Sequence, residues 1–103
     1  MELIIKNNHN YFEIKGILVK YNVHLFQSKF QDIFDERDYL TLNITNLKRI
    51  DSFGINAIAR IHNDAITKRK RFTIIGLGNN ELFNHFKTIE ESVENLENEI
   101  AFL

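Results

Sequence analysis

Between Tyr39 and Gly76 the apolar pattern changes period twice, and this limits the fold more than any other feature of the chain. Tyr39-Leu40-Thr41-Leu42-Asn43-Ile44 alternates with a period of two and is rich in β-formers, which predicts a strand. After a short loop, residues 52–70 place Ile55, Ile58, Ala59, His62, Ala65 and Ile66 on one face of a helix. Phe72-Thr73-Ile74-Ile75-Gly76 is strand-like again. A strand, a crossover helix and a second strand in so short a span imply parallel strands in one sheet, with the helix packed on it.

Upstream, residues 3–5 and 11–15 read as two short strands joined by the polar turn Lys6-Asn7-Asn8-His9-Asn10, with Gly16 ending the second. Asn22 is placed to cap a first helix in which Val23, Phe26, Phe30, Ile33 and Phe34 recur at helical spacing. Downstream, a short helix is expected over residues 80–87. An acidic amphipathic helix follows over residues 90–100, with Val93, Leu96 and Ile100 spaced for burial. The order ββαβαβαα defines an α/β chain with a mixed sheet whose later strands are parallel.

The 103 residues suit one domain over 1–103, and nine Phe among 44% hydrophobic residues can fill its core. With 13 Lys+Arg against 14 Asp+Glu, no net field draws the chain to nucleic acid or an anionic membrane. The absence of Cys removes disulfides, thiolate nucleophiles and thiolate metal sites. The opening MELIIKNNHN has no signal-peptide pattern, and no apolar run approaches the roughly 20 residues that cross a bilayer. A cytoplasmic protein without membrane insertion is therefore expected.

Little in the sequence points to catalysis. His9, His24, His62 and His85 lack metal-ligand spacing or a nearby acidic pair, and no Ser-His-Asp or paired-carboxylate arrangement emerges. His62 falls on the apolar side of its helix as a core or boundary residue. Gly76-Leu77-Gly78 lacks the third glycine and the acidic residue of a dinucleotide site. Lys68-Arg69-Lys70-Arg71 is the one dense basic run, and it reads as a solvated helix end that complements the dipole. The expectation is a protein that is no enzyme and uses no cofactor or metal.

The informative element is Ile50-Asp51-Ser52-Phe53-Gly54-Ile55, where a loop enters the second helix. Ser52 sits at or beside the N-cap, where its hydroxyl can accept from free first-turn N–H groups. Gly54 allows another backbone to approach the first turn closely. Phe53, beside Ile50, suits an exposed contact patch, which Asn56, Arg60 and Asn63 extend along the polar helix face.

With these residues in place, the chain resembles a STAS domain of the anti-sigma-factor-antagonist type. The matching run extends from Leu42-Asn43-Ile44 through Asp51-Ser52-Phe53-Gly54-Ile55 to Phe72-Thr73-Ile74-Ile75-Gly76-Leu77. Upstream, Tyr11–Gly16 and Asn22-Val23 fit the second strand and first-helix cap of that family. The resemblance implies a STAS-like fold, a central mixed sheet of four to five strands with about four α-helices. It also implies that Ser52 is phosphorylated by an anti-sigma factor that is itself a serine kinase. In that case Asp51 orients the serine, and the partner docks on Asp51, Ser52, Phe53, Gly54, Asn56 and Arg60.

This chain departs from the family pattern in three places. Phe53 replaces a second hydroxyl residue, and Ile17-Leu18-Val19 stands where an acidic residue usually follows the strand glycine. After Phe86 the usual Thr-Gly-Leu element and last strand shorten to Lys87-Thr88-Ile89. The first two favour a second reading, a constitutive accessory subunit of an ABC-type lipid transporter, clamped on its ATPase. In that role Ser52 would be only a cap. The sequence also leaves open a homodimer through the sheet edge or the second helix.

Overall fold

The sheet expected from the two changes of period is present, with one more strand than the pattern disclosed. A computed structural model of the protein describes residues 2–76. Its elements are β1 (Leu3–Asn8), β2 (Tyr11–Leu18), α1 (Val23–Phe30), a 3-10 turn (Ile33–Asp35), β3 (Tyr39–Asn43), β4 (Leu47–Ile50), α2 (Ser52–Lys68) and β5 (Arg71–Ile75). The helices expected over residues 80–87 and 90–100 lie outside the described residues, so two of the four expected helices are observed.

β1 and β2 pair antiparallel from Leu3↔Gly16 to Asn8↔Tyr11. The connecting turn is therefore only His9-Asn10, with His9 left-handed at φ 59°. The polar run 6–8 is strand: β1 is an edge strand with mostly exposed side chains, so it needs no strict apolar alternation. β2 likewise continues past Gly16, to Leu18. Gly16 lies at φ 89°, and a Cβ there would stand 1.7 Å from the Glu2 carbonyl oxygen, so only glycine fits this turn of the strand.

The opposite edge of β2 is shared by two strands. β3 pairs parallel with Tyr11–Glu13, and β4 pairs parallel with residues 16–18. Between these pairings the register slips, from Tyr11↔Thr41 to Leu18↔Ile50, and the extra residues are absorbed around 44–46 and at Gly16/Ile17. β4 is the strand that the sequence presents as part of a short loop. Its four residues bury only Leu47 fully, so no alternation marks it. β5 completes the sheet, parallel to β3 from Tyr39↔Arg71 to Asn43↔Ile75.

One face of the sheet carries the helices. Phe12, Ile14 and Leu18 of β2, Leu40 and Leu42 of β3 and Phe72 of β5 form one cluster with Phe26 and Phe30 of α1 and Ile55, Ile58, Ile61 and Ala65 of α2. Full burial of each large side chain contributes about 1.5–3 kcal/mol. α1 ends at Phe30, short of the expected Phe34, because Asp32 turns left-handed (φ 57°). Phe34 still reaches the core from the 3-10 turn, which is why its spacing looked helical.

Asn22 occupies the N-cap position of α1 but makes no capping bond. It is buried instead, where its Oδ1 accepts from the Val19 N–H (2.9 Å) and its Nδ2 donates to the Ile17 carbonyl (3.0 Å). The side chain thus holds the loop leaving β2 and is turned toward that loop, not toward the helix N–H groups.

α2 stops at Lys68, two residues earlier than expected, with Arg69 in the left-handed conformation (φ 60°). The Arg69 and Lys70 N–H groups close back on Ile66 and Ala65 (3.2 and 2.7 Å), a cap usually built on glycine. The basic run that follows is more than a solvated end. Lys68 Nζ lies 2.8 Å from Asp35 Oδ1 and Lys70 Nζ 2.9 Å from Asp38 Oδ1. The hydrogen bond to Asp35, outweighing desolvation, raises the Lys68 pKa.

Candidate functional site

β4 delivers the chain to the start of α2 beside the end of β2, and Asp51 fastens the junction. Its backbone is extended, and its Oδ1 accepts from the N–H groups of Phe53 (3.0 Å) and Gly54 (3.1 Å). Oδ2 accepts from the backbone N–H of Lys20 (2.9 Å), and the Asp51 N–H donates to the Leu18 carbonyl (3.3 Å). One carboxylate therefore caps α2 and pins the β2–α1 loop against it. The cap is Asp51; Ser52, expected to supply the capping oxygen, is the first residue of the helix and is exposed. Both Asp51 oxygens are engaged by backbone donors, so the residue orients the loop and the helix start.

Ser52 directs its side chain outward, and among the described residues none holds its hydroxyl in a hydrogen bond. Its hydroxyl is open to solvent. Phe53 is 47% exposed, and the Lys20 ammonium stands 5.3 Å from its ring centroid. Gly54 faces inward, where a Cβ would lie 2.5 Å from the Leu18 carbonyl oxygen and 2.7 Å from Ile50 Cγ1. The helix can approach β2 this closely only with glycine at that position.

Asn56 and Arg60 follow Ser52 at intervals of four, so the three share an exposed helix face, continued by Asn63. The site also contains residues that the sequence did not single out. Tyr21 (66% exposed) and Leu25 (53%) flank it from the β2–α1 loop and the first turn of α1. Leu25 was recoverable, since it falls off the face defined by Val23, Phe26 and Phe30. Lys20 carried no sequence signal, because what places it here is the bond to Asp51, 31 residues away.

His62 is buried within α2, and desolvation holds its imidazole below the ordinary pKa. Among the described residues no three His, Asp or Glu side chains gather as metal ligands, and no helix is long and apolar enough to cross a membrane.

A family model for the STAS domain matches residues 1–96. No curated protein matches the chain. Among solved structures, the fold is similar to that of the anti-sigma factor antagonist SpoIIAA in its unphosphorylated form, with a TM-score of 0.57, 17% identity and 71% of each chain covered.

Proposed function

The chain belongs to the STAS domain family, and from that premise we propose that it acts as an anti-sigma factor antagonist switched by phosphorylation of Ser52. In this reading an anti-sigma factor with serine kinase activity docks on the α2 start in the cytoplasm. Asp51 and Gly54 shape the docking face, and Ser52, Phe53, Asn56 and Arg60 meet the partner. The domain is the substrate and catalyses nothing itself. The observation that carries the reading is an outward, unbonded Ser52 beside exposed Phe53, on a helix start already capped by Asp51. A phosphate there adds roughly −1.5 to −2 charges without displacing a capping group. The fold would persist while the surface offered to the partner gains negative charge.

A second reading is favoured by Phe53 itself, an aromatic where the family usually has a hydroxyl. Permanent burial of Phe53, Tyr21 and Leu25 against an ABC-transporter ATPase subunit would suit so apolar a face. Affinity purification from native extract with wild type and Ser52→Asp separates the two. Retention of a kinase-type anti-sigma factor by wild type alone supports the switch. Equal retention of an ATPase subunit by both proteins supports the permanent subunit.

A further inference from the structure

We infer that the protein docked at the α2 start presents carboxylates to it, so that the face is read as an apolar seat with a cationic rim. The inference rests on the docking reading above and specifies the chemistry of the partner. The seat consists of Phe53, Tyr21 and Leu25, all exposed. Lys20 in the β2–α1 loop stands over Phe53, and Lys48 and Arg49 in β4 and Arg60 in α2, all exposed, belong to the segments that lead into and out of the α2 start. Among the described residues, none of these four cations is in an ion pair.

At the other end of the same helix, Lys68 and Lys70 are matched by Asp35 and Asp38. Asp51 is the sole acidic residue in the segments 17–26 and 47–60 that build the face, and three backbone N–H groups already occupy it. The whole chain carries a formal charge of −1, so this cationic rim runs against the balance of the molecule. The Lys20 ammonium lies over the Phe53 ring, at the boundary between seat and rim. A carboxylate reaching Lys20 would bring the apolar surface beside it onto Phe53. Complementary charge of this kind steers encounter and fixes orientation.

The test uses the full chain immobilised as wild type, Lys20→Glu, Lys20→Arg, Phe53→Ala, Ser52→Asp and Lys68→Glu, each confirmed folded by circular dichroism. Native extract is applied, and the retained protein is treated with a water-soluble carbodiimide, which condenses an amine and a carboxylate to an amide without a spacer. The expected products are peptides joining Lys20 or Lys48 to Asp or Glu of the retained protein. Retention should fall about tenfold in Lys20→Glu and stay at the wild-type level in Lys68→Glu. Lys20→Arg should keep the retention and lose the Lys20 link. Retention that depends on Phe53 but not on Lys20, or links running only from carboxylates of this chain to partner lysines, would overturn the inference and leave the docking reading intact. Retention indifferent to Phe53→Ala, Ser52→Asp and Lys20→Glu together would overturn both.

Discussion

The two ends of α2 solve the same electrostatic problem in different ways. At the C-terminal end, Arg69 adopts a left-handed conformation to close the helix, and Lys68 and Lys70 reach across to Asp35 and Asp38. Two of the four cations there, Lys68 and Lys70, are matched within the chain. At the N-terminal end Asp51 satisfies the free N–H groups and anchors Lys20, while Phe53, Tyr21 and the surrounding cations remain exposed. Exposed aromatic surface persists here beside Gly54, the one glycine of the helix, which packs against Leu18 and Ile50. The difference separates an end tied to the rest of the fold from the end that the proposed function uses for contact.

That contrast can be broken most severely at Gly54. A Gly54→Ala chain must move Leu18 or Ile50, and overpacking at such a site costs about 3 kcal/mol. Chemical denaturation should show the loss, and a variant as stable as wild type would mean that the N-terminal junction is looser than described. Asp51→Ala removes an acceptor of three N–H donors, and the expected loss is about 2 kcal/mol by the same measurement. Amide exchange should then accelerate at Phe53 and Gly54 and not at Arg69 or Lys70. Equal acceleration at both ends would erase the distinction between them.

Between the ends, the buried His62 gives a pH-dependent test. Burial holds its folded pKa below the ordinary value of 6.5, so the unfolded chain binds more protons between the two values. Stability is therefore full above pH 6.5 and declines as the pH falls toward the folded pKa. Thermal melts across this range should show the decline, and His62→Gln should flatten it. A smaller effect is expected of Ser52→Ala, which removes no capping bond and should stay within about 0.5 kcal/mol of wild type. A loss as large as that of Asp51→Ala would return the capping role to the serine. Lys68→Ala should give the smallest change, one that high salt removes in wild type as well, since exposed ion pairs are screened.

Much of this molecule was legible in its sequence because the deciding signals were local. The alternation of residues 39–44 and the helical spacing of Ile55, Ile58, Ala65 yielded the parallel strands and the crossover helix. β4 escaped because a strand of four residues with one fully buried side chain has no period to detect. Asn22 and Ser52 both suit a cap by residue type, since Asn and Ser favour that position. Which oxygen caps a helix depends on where the other backbone donors lie, and the sequence does not show that. At the site, the run from Asp51 to Gly54 was visible, and the exposure of Phe53 followed from its place after the cap. Lys20 and Tyr21 became part of the site only through a bond across the fold.

That bond also bears on when the protein becomes recognisable. The proposed docking face joins residues near 20 to residues near 51, and the carboxylate between them engages both in the folded chain, where β4 lies beside β2. A nascent chain still emerging from the ribosome, or a peptide copied from α2 alone, presents Ser52 and Phe53 without Lys20 in position. Under the proposed function, a partner that reads the whole face would count completed molecules, and its response would follow the folded concentration of the protein rather than the amount synthesised.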